Sequence, residues 1–504
     1  MKGTQFVAQA LAQVSSRGVM LAAGFVQFLY LSRSLGPAGY GLYSVAFSLS
    51  QLVFLVLEPA TASGLVPMLA GHPRGREFAR TCGRITLGLG LLLTLTLSVF
   101  APAIEWLLQA PELVGPLRCL APAVFLQLLS NQSALCLHGD GRWYATACSF
   151  SLMWLTRLVA SWALVEQGWG VLGAAAAIPL SFLIQFGANQ LQGAFWVWQP
   201  GAMRLRDWWS HSRHLMAGTL LHNMVFGAEL PLLKRFVSVT DAGQYAAAQN
   251  LGLPVQAACV SVLPLIQQRL AKTWTEGQPG QFRSLCQMGI RLWICLGVGV
   301  GALSPLAPDL GRLMFGSRYE YSGQIARILL IDLGIRLFLS FNINTLAAQQ
   351  RRESVSRVYL RSTLPVVVFQ VLVLAVGSRY WTGANTSPIL VCCAGACMVR
   401  SLVLAWLSFE QVRSESSLTF PWGTLGRALV AGGLAAGLAT CLPGAGWFVL
   451  GQVVVLVGSY LGLLLLLGET RETNAWTQPA ASTDGEVPNL AAREPGSCQT
   501  LHHD

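Results

Sequence analysis

The sequence predicts an all-α polytopic membrane protein of about fourteen transmembrane helices, built as two homologous six-helix lobes plus two C-terminal helices. Three observations carry that reading. Hydrophobic residues make up 53% of the 504-residue chain and charged residues 11%, with a mean hydropathy of +0.53, more apolar surface than a soluble interior can hide. The arrangement Leu31, Arg33, Gly41, Tyr43 recurs 202 positions later as Leu233, Arg235, Gly243, Tyr245. Basic residues gather on alternate connections, as they do when one side of a bilayer retains them.

Hydropathy places the first lobe's spans at roughly 7–31, 40–70, 85–108, 117–137, 143–165 and 171–198. The second lobe's spans follow at 214–237, 242–268, 286–308, 323–349, 355–377 and 388–409, and two more lie at 424–442 and 447–467. The first stretch is too long for a signal-peptide core, has only Lys2 ahead of it, and lacks a small-x-small cleavage site after it; it is expected to stay as a helix. Small, helix-permissive residues dominate the spans, and the strict alternation of a barrel strand is absent. Two further echoes support the duplication. Leu97-Ser98 with Ala101-Pro102 returns as Leu303-Ser304 with Ala307-Pro308, and Gly141-Arg142 falls opposite Arg351-Arg352, so the offset drifts from 202 to 206 to 210 as short insertions accumulate. The expected divisions are 1–200 and 201–412 for the lobes, 413–468 for the added pair and 469–504 for a polar, disordered tail with Pro479, Pro488 and Pro495. Duplicated membrane halves commonly pivot about a shared site, which points to a transporter.

With the N-terminus inside, 22 of the 33 Lys and Arg residues fall on or near inside segments, Arg17 of the first span counted among them, and eight outside, while Arg157, Arg336 and Arg400 lie deeper within spans. This bias places both termini in the cytoplasm and accounts for the net charge of +11 without nucleic acid as a partner. Positions near 142, 206, 352 and 480 are therefore expected inside, and those near 36, 240 and 383 outside. The twelve cysteines sit mostly in or beside apolar spans, and Cys392, Cys393 and Cys397 lack histidine or carboxylate company, so no metal site is expected.

Polar residues inside the spans are the candidate functional residues. Gln9, Gln13 and Arg17 are spaced by four on the first span, and Gly24 and Gln27 continue that face. This wall either lines a cavity or pairs internally. The seventh span carries His222 and Glu229 on one face, with Asn223 beside them and Pro231 interrupting the backbone. Matching polar helices in both halves are what a site between repeats requires. Glu229 either couples transport or neutralises a basic wall. On the tenth span Asp332 and Arg336 stand one turn apart, a spacing that favours an intrahelical ion pair, with Asp332 a second coupling candidate. Arg157 and Arg400 have no local partner; with Arg17 and Arg336 they suit bidentate contact with a pyrophosphate, or internal pairing with Glu58 or Glu229. Because the first and seventh spans both end in the repeated element, their polar faces are expected to oppose one another across the gap between lobes. There is no Walker loop, Gly-x-Ser-x-Gly elbow, or His-Glu-x-x-His, and no large extramembrane loop with paired carboxylates, so enzymatic catalysis and ATP-driven transport by this chain alone are not expected.

The segment from Leu31 to Tyr43, which contains Arg33, Gly36, Gly41 and Tyr43, resembles the signature of the polysaccharide-transporter (O-antigen flippase, Wzx-like) family within the multidrug/oligosaccharidyl-lipid/polysaccharide exporter superfamily. Ala228-Glu229-Leu230 through Tyr245, with Arg235 and Gly243, and Phe315 to Tyr319 resemble two further family segments. The seventh-helix acidic residue, often aspartate in relatives, is Glu229 here. The resemblance implies a V-shaped two-lobed bundle in the bacterial cytoplasmic membrane that moves an undecaprenyl-pyrophosphate-linked oligosaccharide outward by alternating access. It implies no cofactor beyond a proton or sodium gradient, and glycan-assembly membrane proteins as neighbours. A cation-coupled drug or peptidoglycan-precursor exporter of the same fold is the second reading; a glycan polymerase or ligase is the third, disfavoured by the short outside connections.

Overall fold

The computed structural model describes residues 3–62, 75–194, 226–349, 352–380, 387–416, 418–442 and 448–467, with positions 198 and 220. Among these residues the secondary structure is helical throughout, without a strand. The first lobe contains α1 (Gly3–Ala62), α2 (Gly75–Leu108), α3 (Val114–Gly139), α4 (Trp143–Leu164) and α5 (Gly170–Leu191). The second contains α6 (Glu229–Lys234), α7 (Val239–Leu251), α8 (Leu253–Thr275), α9 (Pro279–Ala302), α10 (Ala307–Phe315), α11 (Ser322–Ala348), α12 (Arg352–Tyr380) and α13 (Ser387–Ser416). The C-terminal pair is α14 (Trp422–Thr440) and α15 (Phe448–Leu466).

The first two expected spans are the arms of α1. They are separated by one residue, Gly36 at φ 66° and ψ 179°, not by a loop over 32–39. Glycine adopts that positive φ without strain, and Pro37 supplies a fixed φ for restarting a helix without needing an N–H partner. A second correction concerns the expected span 242–268: the helix is interrupted at the single residue Gly252, and Pro254 opens α8. The third concerns the connection 309–322 between the ninth and tenth expected spans. Its first part is helical, because α10 continues to Phe315 after the single 3-10 turn Ser304–Leu306.

Outward faces are apolar where lipid would cover them. On α2, 22% of the most apolar stretch is buried by protein, and Leu91, Leu92, Leu95, Val99 and Phe100 project outward. By contrast α11 is packed against α8, α9, α10 and α13, which lets it carry Asp332, Arg336 and Asn342 away from hydrocarbon. Close packing within the second lobe uses glycine: a Cβ on Gly334 would lie 2.3 Å from the Gly297 carbonyl oxygen. The C-terminal pair joins this lobe through buried Ala428, Ala431, Ala435 and Ala439, and the Tyr460 hydroxyl donates to the Cys295 carbonyl at 2.6 Å.

The lobes meet where the second arm of α1 lies against α7. At this contact the repeated glycines face each other: a Cβ on Gly41 would sit 2.1 Å from the Val239 oxygen, and one on Gly243 would sit 1.8 Å from the Pro37 oxygen. Backbone cannot yield as a side chain can. Gly243→Val should therefore destabilise the folded chain by about 3 kcal/mol or more, read as a lowered thermal-unfolding midpoint in detergent. A wild-type midpoint would show that the contact is looser than it looks.

Candidate functional site

The polar wall of the first arm of α1 packs mostly against its own lobe. Gln13 Nε2 donates to the Trp143 carbonyl at 2.8 Å and to Thr146 Oγ1 at 3.2 Å. Gly24 makes room for Trp154, whose ring would lie 3.1 Å from a Cβ at that position. Gln27 is buried and donates to Ser161 Oγ at 2.7 Å. The wall therefore faces α4, not the gap between lobes, because α4 offers a matching row of hydroxyls and a carbonyl. Gln9 lies in α1.

Arg17 is the exception on this wall. Its guanidinium stands 5.0 Å from the Phe150 ring centroid and otherwise makes only a weak contact with Met20 Sδ at 3.9 Å. It lines a cavity of about 360 Å³ together with Glu58, Asn131, His138 and Gln185. Among the described residues no carboxylate forms an ion pair with it, so its donors are available to an anion entering that cavity. Arg157 is placed differently: it is buried between α4 and α5, with Nε donating to Ser181 Oγ at 3.2 Å and the rings of Trp154 and Phe182 at 4.7 and 4.9 Å. Cation–π contact partly replaces its lost hydration.

In the second lobe the side chains converge on Glu229, which is 1% exposed. Its Oε2 accepts from Arg400 Nη2 at 2.9 Å and from Arg336 Nη2 at 3.3 Å. Its Oε1 accepts from Gln249 Nε2 at 2.9 Å and from the Tyr245 hydroxyl. Arg336 also holds Asp332 Oδ2 at 2.5 Å, the pair expected from their spacing. The Phe226 ring stands 5.1 Å from the Arg336 guanidinium and 4.8 Å from that of Arg400. Two cations thus share two carboxylates, and every bond is charge-assisted, the arrangement that makes a buried ion cluster tolerable. A cavity of about 180 Å³ opens beside Gln249, Asp332 and Arg336. His222 and Asn223 lie outside the described residues.

The structure brings Glu229, Asp332, Arg336 and Arg400 together, places Arg17 with Gln13 in a separate cavity, and keeps Arg157 and Gln27 as interior residues of the first lobe. Gln27 occupies the repeat position of Glu229, 202 residues earlier. Sequence reasoning missed Glu58, Asn131, His138 and Gln185 as cavity residues and Gln249 as a ligand of Glu229. The seven-residue spacing of Asn131 and His138 on α3, and the four-residue spacing of Tyr245 and Gln249 on α7, were the readable signals.

Comparison with known proteins agrees with this architecture. Over 332 residues the chain is 22% identical to the succinoglycan biosynthesis transport protein ExoT of Rhizobium meliloti (strain 1021), covering 62% of this chain and 63% of that protein. Its fold is similar to that of the lipid II flippase MurJ in an inward closed conformation, with a TM-score of 0.73 at 12% identity over 93% of this chain and 100% of that one. It is also similar to an inward-facing multidrug resistance MATE family transporter of the MOP superfamily, with a TM-score of 0.63 at 15% identity over 81% and 100% of the two chains. The family described as polysaccharide biosynthesis protein matches residues 7–267, more than half of the chain. This multi-pass, all-helical membrane protein belongs to the polysaccharide biosynthesis protein family.

Proposed function

We propose that the chain is a flippase that carries a polyprenyl-pyrophosphate-linked oligosaccharide across the bacterial cytoplasmic membrane by alternating access. The observation that carries this reading is the Arg17 cavity: a cation at membrane depth that forms no ion pair among the described residues, in a pocket also lined by Glu58 and by amide, hydroxyl, imidazole and aromatic groups. A pyrophosphate needs a fixed positive partner to leave water, and sugars are bound by amides and ring faces. An apolar groove of about 890 Å³ between α9, α11, α13 and α14 suits the isoprenoid. No covalent step is part of the proposal. Coupling to a proton or sodium gradient is part of it, with Glu229 and Asp332 as the carboxylates placed to respond.

The test is transfer of a fluorescent polyprenyl-pyrophosphate saccharide between leaflets of proteoliposomes, read by a membrane-impermeant quencher. Transfer above protein-free vesicles is expected, and its absence would sink the substrate assignment. The likeness to a lipid II flippase favours one second reading, a peptidoglycan-precursor exporter; preferential transfer of lipid II in the same assay would select it. The charge bias further supports a topology with both termini in the cytoplasm. Cysteines introduced near 142 and 352 should then resist an impermeant maleimide added to whole cells, while those near 36, 240 and 383 react. Reversed labelling would invert the topology.

A further inference from the structure

Two basic residues at the ends of the first and seventh spans, Arg33 and Lys234, do not belong to either polar centre. Each reaches across to the opposite lobe. Arg33 donates from Nε to the Met314 carbonyl at 2.7 Å and from Nη2 to the Leu313 carbonyl at 2.8 Å, at the C-terminus of α10. Lys234 donates from Nζ to the Gln109 carbonyl at 3.0 Å and the Leu108 carbonyl at 3.4 Å, at the C-terminus of α2, and to the Val237 carbonyl at 3.2 Å. Leu108 and Met314 are 206 positions apart, the offset that relates Ser98 to Ser304, so the two contacts are repeat-related. Both helices close on a left-handed residue, Gln109 at φ 49° and Gly316 at φ 81°, which turns the last carbonyls toward the incoming cation. The negative end of each helix adds to the attraction. In the second copy the residue used is Lys234, 3% exposed, one position before the matched Arg235, which is exposed. The Tyr319 hydroxyl, donating to the Ser32 carbonyl at 2.7 Å, fastens the same seam.

We propose that Arg33 and Lys234 form a reciprocal pair of latches that hold the lobes together at this end of the bundle, and that their release is the step that opens the outside of the transporter. The proposal rests on the alternating-access reading. Separation of the lobes must break the four cation–carbonyl bonds that cross between them, two of Arg33 and two of Lys234. Once apart, the freed carbonyls meet water. Loss of the cations therefore penalises the sealed conformation and spares the separated one.

The experiment places spin labels at the exposed positions 112 and 320, one in each lobe beside the seam, in the full chain in lipid nanodiscs. Double electron–electron resonance then reads the distance distribution without substrate. The Arg33→Gln and Lys234→Met pair should raise the ratio of separated to sealed populations on the order of tenfold. Arg33→Lys, which keeps donors for both carbonyls, should stay close to wild type, as should the control Arg235→Gln. Should Lys234→Met fail to fold, Arg33→Gln carries the test alone, since Arg33 is exposed. An unchanged distribution in Arg33→Gln, or an equal shift in Arg33→Lys, would overturn the latch. Failure of wild-type flipping in proteoliposomes would instead remove the substrate reading, leaving the distance measurement to decide the latch.

Discussion

Arg17→Ala should abolish surface-glycan export while the protein reaches the membrane at normal abundance. The separation of these two readouts follows from the contacts of the side chain. Arg17 touches the Phe150 ring and Met20 and is otherwise open to its cavity, so truncation leaves no buried partner unsatisfied and costs on the order of 0.5 kcal/mol of stability. Its loss to a phosphate is far larger. Two charge-assisted bonds together contribute about 3 kcal/mol or more, on the order of a hundredfold in the occupancy of the crossing state. Arg17→Lys keeps the charge but loses the planar fork, and partial export is expected. Export and abundance are measured together, by glycan staining and immunoblot of the same cells. Normal export by Arg17→Ala would refute the phosphate role; an absent protein would reveal a structural one.

The second large effect is on stability. Glu229→Ala removes the acceptor shared by Arg400, Arg336, Tyr245 and Gln249. Arg400, 2% exposed, then keeps its charge without its carboxylate. Breaking a buried pair from one side costs about 3–5 kcal/mol, enough to lower the unfolding midpoint of detergent-solubilised protein by several degrees. Removing both charges is a different experiment. Glu229→Leu combined with Arg400→Met should recover a large part of the loss, since a well-packed apolar pair replaces a desolvated ionic one. If the single variant melts with wild type, the cluster contributes little to the fold. If the double variant is stable yet inactive, and Glu229→Gln is impaired in a pH-dependent way, Glu229 acts in coupling.

The helical membrane fold was legible because its signals are local: the apolar runs and each copy of the repeated motif lie within a few tens of residues. The Asp332–Arg336 pair was legible for the same reason, a one-turn spacing on a single helix. The bond from Glu229 to Arg400 was only one of several pairings open to these charges. It spans 171 residues, and nothing in either helix alone says which arginine the carboxylate takes. The orientation of the α1 wall was misread because amphipathicity reports that a face is polar, not what meets it. The hydroxyls of Thr146 and Ser161 on α4 decided that. Helix α10 was hidden by its shortness and its polar Asp309 and Arg312, which look like loop residues until Phe315 packs against Phe28 with ring centroids 5.1 Å apart.

The meeting of Gly41 with Gly243 also records a history. A contact in which a residue touches its own counterpart is the contact of an isologous pair, the kind two identical chains make about a two-fold axis. A single-lobe ancestor that associated with itself would have met glycine with glycine here, and every substitution in it would have struck both sides at once. Within one chain that obligation does not hold, while the shared seam stays in place. What each half then did with its freedom can be seen at one matched position. Gln27 settled as a neutral bond inside its lobe, and Glu229 gathered two arginines in the other.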